Sequence, residues 1–197
     1  MNRYIIPCAA AAVLFVAAEP WASAGNNPMS MSSDTSSTHN SPAQVGTPPK
    51  ADITHFQSVK LSLTDAIHSA QQQHKGKAVA ARFEMWNGQP SYFVRTAAHD
   101  KIWEGRINAD SGQMIGQAKT YTDQELTRDL RQQADAVRNI HTSLTQAVKD
   151  AEQQQGGKAI LARVRWDSNG KASYDVDVVK NGQLHTAMVD AKTGKVG

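Results

Sequence analysis

The residues best suited to chemistry in this chain are its methionines and histidines. Met29-x-Met31 with His39 would offer two thioethers and an imidazole, the soft donor set that Cu(I) prefers. They lie in a serine-rich stretch, where the same residues also read as plain low-complexity sequence. His68 and His74 are six residues apart, which does not put them on one helix face. Zinc asks for three or four neutral nitrogen or thiolate ligands, so these two read as solvated surface histidines. A zinc-peptidase helix needs two histidines one turn apart with a glutamate beside the first. No histidine in this sequence is followed by glutamate. A Gly-x-Ser-x-Gly elbow and a Gly-Lys-Ser/Thr phosphate loop are missing as well. The expectation is no catalytic residue, no cofactor, no resident metal and no enzyme.

The only cysteine, Cys8, lies in a segment that reads as a leader. Arg3 supplies the positive start, Ile5 to Ala18 an apolar run broken by Pro7, and Ala22-Ser23-Ala24 a small-residue cleavage pattern. The expectation is a signal peptide over 1–24, cleaved after Ala24, and a periplasmic or secreted protein with no transmembrane segment in the mature chain. That chain would have no thiol, hence no disulfide or thiolate site. Removing Arg3 and Glu19 takes the 21 basic and 18 acidic residues to 20 and 17, and the net charge stays +3. The basic residues are scattered without an aromatic platform, which argues against nucleic acid as a partner. Residues 25–57 read as a low-complexity tether that cannot bury enough apolar surface to order.

Downstream, the chain states one pattern twice. Leu63-Thr64, Ala66, Ala70 and Gly76-Lys77-Ala78 return as Leu144-Thr145, Ala147, Ala151 and Gly157-Lys158-Ala159, at an offset of 81. After one inserted residue near Asn169 the offset is 82, and Tyr92, Val94, Ala109 and Gly112 return as Tyr174, Val176, Ala191 and Gly194. Such self-similarity marks two copies of one folding unit. Each copy opens with a helix that fits a capping box, Ser62 with Asp65 and Ser143 with Gln146. Leu63, Ala66, Ile67 and Ala70, and likewise Leu144, Ala147, Val148 and Ala151, form one apolar stripe. Gly76 and Gly157 read as the stops.

The period then changes to two. Val79, Ala81, Phe83 and Met85 alternate with Ala80, Arg82, Glu84 and Trp86, and Asn87-Gly88, Asn169-Gly170 and Asn181-Gly182 are hairpin signals. Tyr92, Val94 and Thr96 face inward on the second strand, as do Trp103 and its counterpart His185 on the third. Trp86 falls outward, as a candidate surface contact. The fold class expected is α+β, with two tandem helix-plus-three-stranded antiparallel (αβββ) units at 58–116 and 140–197. A helical connector over 117–139, capped by Thr122, would put Leu126, Leu130, Ala134 and Val137 on one face.

This pattern resembles the PepSY domain, with a Ser-Leu-x-x-Ala-Ile-x-x-Ala helix, a strand led by Gly-Lys-Ala, a Tyr-x-Val strand and a closing Asp-Ala-x-Thr-Gly-x-Val. The second copy carries Tyr174-Asp175-Val176 and Asp190-Ala191-Lys192-Thr193-Gly194-Lys195-Val196; the first has Asn108 and Ser111 in place of the aspartate and threonine. The resemblance implies a small exported binding module. Such domains occur in propeptides of thermolysin-like metallopeptidases, where they are linked to inhibition, in spore-germination proteins and in short periplasmic proteins. With no peptidase domain here, inhibition would act in trans, and no catalytic residue carries over.

The function expected is binding of an exported protein or peptide, including restraint of a peptidase. Alternatives are metal or small-ligand handling through the Met29, Met31 and His39 tether, or a structural envelope role. A sheet edge would receive the partner as an added strand. Asp175, Asp177 and Lys180 would guard the second copy, and the less guarded Phe93 and Thr96 favour the first.

Overall fold

The computed structural model describes residues 45–46, 50–98 and 101–197. The elements run α1 (Lys50–Phe56), α2 (Leu63–Gln73), β1 (Lys77–Trp86), β2 (Gln89–Ala98), β3 (Lys101–Asn108), β4 (Lys119–Tyr121), α3 (Arg128–Ala136), α4 (Leu144–Gln155), β5 (Lys158–Trp166), β6 (Ala172–Lys180) and β7 (Gln183–Asp190). Among the described residues, no helix is long and apolar enough to cross a membrane. The leader and most of the expected tether lie outside the described residues. Residues 50–56, assigned by sequence to that tether, instead form α1, because Ile53 and Phe56 share a face. Phe56 is buried, with its ring 5.5 Å from that of Phe83.

Local chemistry accounts for most boundaries. The Ser62 hydroxyl accepts from the Asp65 N–H at 3.1 Å, and Asp65 Oδ2 accepts from the Ser62 N–H at 2.9 Å, completing the capping box of α2. The second box is only half made: Ser143 accepts from the Gln146 N–H, while the Gln146 amide donates to Asp150 at 2.7 Å. The helix stops also differ from expectation. Gly156, with φ of 70°, caps α4, and His74 in extended conformation caps α2. Gly76 and Gly157 serve close approach instead. A Cβ at Gly157 would lie 2.5 Å from the Val179 carbonyl oxygen, and one at Gly76 3.1 Å from that of Ala97. Asn87-Gly88 and Asn181-Gly182 both take positive φ at each residue, as a type I′ turn demands. The link holding Asn169 and Gly170 is longer, and Asp167 Oδ1 organises it by accepting from the N–H groups of Asn169 and Lys171. Asn108 replaces aspartate without loss, since its Oδ1 caps Asp110 and Ser111 just as Asp190 caps Lys192 and Thr193.

The seven strands form one antiparallel sheet in the order β4-β3-β2-β1-β5-β6-β7. The first strands after α2 and α4 meet through Ala80↔Arg163, Ala81↔Ala162 and Arg82↔Leu161, so two three-stranded sheets become one. This corrects the expected edges. Phe93 and Thr96 lie on β2, and Asp175, Asp177 and Lys180 on β6, strands paired on both sides. A strand joined by hairpins to both neighbours is the middle of its unit, and so cannot be an edge.

α2 and α4 cover one face, with Leu63, Ile67, Phe83, Tyr92, Val148 and Tyr174 in one continuous core. The phenols of Tyr92 and Tyr174 each donate at 2.7 Å to a loop carbonyl, Leu61 and Thr142 respectively, and burial pushes both well above the ordinary tyrosine range. α3 lies on the opposite face, where Leu126, Leu130, Ala134 and Val137 pack on Val79, Ala97, Ile102 and Tyr121. That answers the expected shared face of the connector but moves its start: Thr122 precedes a single 3-10 turn, and Thr127 caps α3. Val79, expected beside Ala81, faces α3 because the pairing register shifts between Ala78 and Ala80.

Candidate binding edges and the open face

The sheet's two outer edges are treated unequally. On the β3 side, β4 pairs with Ile102, Trp103 and Glu104. The remaining outer groups are taken by Ile115, whose N–H donates to Arg106, and Gln113, which accepts from Asn108. On the β7 side the C-terminal segment does only the second of these jobs. The Gly197 N–H donates to the Met188 carbonyl at 2.8 Å, and the Asp190 N–H to Lys195 at 2.8 Å. Backbone direction alternates along a strand, so Thr186 and Leu184 also point their N–H and C=O outward. Among the described residues no strand pairs with the outer side of Gln183–Ala187. This stretch is a ready template for another strand.

The face opposite α2 and α4 is rich in arginine. Beneath α3, Arg95 and Glu104 form a buried pair at 2.6 Å, with the Tyr121 hydroxyl donating to Glu104 and Gln133 accepting from Arg95. Burial, with the Glu104 charge beside it, pushes the Tyr121 phenol up to about 12. Glu84 holds both Arg82 and Arg106 at 2.7 Å, and the Arg106 guanidinium lies 3.5 Å from the centre of the Trp86 ring. Trp86, the expected surface aromatic, is thus 39% exposed but already engaged in a cation–π contact. In the second half the corresponding positions carry Asp177, which accepts from the Thr186 hydroxyl at 2.7 Å, and Met188, which is 58% exposed.

Between α3 and β5 the same face opens into a cavity of about 320 Å³, whose lining includes Val45, Arg95, Asp129, Gln133, Arg163 and Arg165. Arg163 donates through Nη1 to the Val45 carbonyl at 2.6 Å and through Nη2 to Asp175 at 3.4 Å. Its Nε is buried without a hydrogen-bond partner. Sequence reasoning passed over Val45 and Arg163: a lone valine beside a glycine carries no periodic signal, and Arg163 reads as one outward residue of an alternating strand.

The histidines do not converge. His74 stacks on Trp103, centroids 5.6 Å apart, and its Nδ1 lies 3.2 Å from the Thr96 hydroxyl. Trp103 faces inward as expected, with its ring over Gly105, where a Cβ would come within 2.3 Å of it. The counterparts of that glycine and of Trp103 are Ala187 and His185. Among the described residues no three of His, Cys, Asp and Glu cluster as metal ligands. Met29, Met31 and His39 lie outside the described residues. Burial raises the pKa of Glu152 although it accepts the Ala159 N–H at 2.8 Å.

The class that this architecture defines is a mixed α+β protein, with helices on both faces of a seven-stranded antiparallel sheet. Within it, residues 143–196 match the PepSY family, described as peptidase propeptide and YPEB domain. The match runs from the cap of α4 to the bridge that Val196 makes with β7. Among solved structures, the chain is similar to a candidate lipoprotein of Clostridium difficile 630, with 22% identity, 72% of this chain and 93% of that one covered, and a TM-score of 0.43. It is also similar to the YpmB protein from Bacillus subtilis, with 16% identity, 70% and 96% covered, and a TM-score of 0.24. No curated protein matches the chain.

Proposed function

We propose that this is a non-enzymatic exported protein of two tandem αβββ units, which binds another exported protein or peptide and restrains a peptidase in trans. The observation that carries the reading is the outer side of β7 at Leu184 and Thr186, unpaired among the described residues and inside the segment that matches a peptidase-propeptide family. An extended segment of the partner would add there as an eighth strand, main-chain hydrogen bonds giving affinity. The element order α2-β1-β2-β3 and α4-β5-β6-β7 supports the duplicated unit. The metal-handling alternative rests on Met29, Met31 and His39; equal Cu(I) uptake with and without residues 25–52 would remove it.

The test is a titration of the exported chain against a thermolysin-like peptidase, with the chain checked for cleavage. We expect saturable loss of activity, weakened by about tenfold or more in Thr186→Pro, which deletes an outward N–H that no strand among the described residues uses. Full activity at a large molar excess of intact chain would sink the proposal.

A further inference from the structure

We infer that the cavity between α3 and β5 is a receptor for a peptide carboxylate, and that the segment at Val45 is its built-in competitor. Of the charged side chains that line it, Arg95, Arg163 and Arg165 outnumber Asp129. Arg165 is 57% exposed, and its contact with Asp175 is long, 3.5 Å. Arg95 is neutralised by Glu104 and held by Gln133, so the site's free positive charge comes from Arg163 and Arg165, which share the single carboxylate of Asp175.

The occupant is argued from what already sits there. Val45 is half-buried, packs on the core and gives its carbonyl to Arg163 at 2.6 Å. A backbone carbonyl brings one oxygen and no charge. Arg163 is left with a buried Nε that nothing satisfies and a 3.4 Å contact to Asp175. An arginine fork is matched by a carboxylate, whose two oxygens accept in parallel and whose charge shortens both bonds. A peptide carboxylate would therefore hold this site better than Val45 does, and about 320 Å³ stays open beside it. The site is separate from the β7 edge, since Arg163 lies on β5, next to the central strand and two strands from β7.

The experiment is calorimetric titration of the exported chain with three probes: acetyl-Ala-Ala-Val with a free carboxylate, the same peptide as its amide, and acetyl-Ala-Ala-Asp amide. Inorganic phosphate is titrated as a competitor. The free acid should bind at least about tenfold more tightly than the valine amide. Binding of the aspartyl amide as tight as the acid would place recognition on any peptide carboxylate, and weaker binding on the C-terminus. Arg163→Gln should lose the acid preference, with folding checked by circular dichroism. Val45→Gly, which weakens the competitor, should tighten acid binding about threefold by raising the open fraction. Equal binding of acid and amide, binding of none of the probes, displacement by phosphate as effective as by peptide, or an unchanged affinity in Val45→Gly would each overturn the inference.

Discussion

β3 and β7 occupy equivalent places after α2 and α4, yet among the described residues one is covered along its length and the other only at its C-terminal end. Beyond β3 the chain turns back, adds β4, and lays α3 over the far face. Side chains follow that difference. Where α3 covers the sheet, the cross-strand pair is Arg95–Glu104, buried to 3% and 8% exposure. At the matching positions of the second half stand Asp177 and Thr186; Asp177 is also buried, at 5% exposure, but is held by the Thr186 hydroxyl at 2.7 Å instead of by a guanidinium. One backbone pattern thus carries two assignments: among the described residues, the first half pairs its outer strand with β4, and the second leaves Gln183–Ala187 of β7 without a pairing strand. Free backbone donors are where an added strand gains most.

The largest effect should come from breaking the covered pair. Arg95→Ala strands Glu104 under α3, and removing one partner of a buried ion pair costs about 3–5 kcal/mol. Asp177→Ala removes one hydroxyl–carboxylate bond and leaves no buried charge unpaired, so it should cost only about 1.5 kcal/mol. Urea denaturation of both variants reads the difference, and equal losses would break the comparison. Next in size is the pair of glycines before β1 and β5. Gly157→Ala would drive its Cβ against the Val179 backbone at 2.5 Å, where Gly76→Ala meets Ala97 at 3.1 Å. Overpacking costs of about 2–3 kcal/mol for Gly157 and about 1 kcal/mol for Gly76 are expected from the same measurement.

Those glycines show what the sequence made legible. The duplicated Gly-Lys-Ala was readable as a boundary, but its cause was not, because the backbone facing each glycine belongs to a strand some twenty residues later in the chain. Local periodicity likewise exposed α2, α4 and the strand phases, since capping oxygens, Asn-Gly turns and alternation act within a few residues. The Arg82↔Leu161 seam, Val79 under α3, and Val45 on Arg163 are long-range pairings, and nothing in a window of sequence encodes their partner. The edge assignment failed for that reason: which strand lies outermost is a property of topology, not of the charges on it.

The smallest effect tests the halves at one helix position. Gln71 on α2 donates to the Gly76 carbonyl, and the residue in its place on α4 is Glu152. Burial raises the Glu152 pKa, so the folded state binds a proton more readily than the unfolded chain. Its contribution to stability is then fully present below the ordinary carboxylate range and is lost as pH rises through the folded value. Glu152→Gln keeps an oxygen for the Ala159 N–H and removes the charge. It should raise stability at neutral pH by less than about 1 kcal/mol, given the partial exposure of the group. The gain should vanish on acidification, as the wild-type carboxyl takes up its proton. Thermal melts at pH 7 and pH 4 read this directly. A gain that persists at low pH would mean that packing, not charge, separates the two helices at this position.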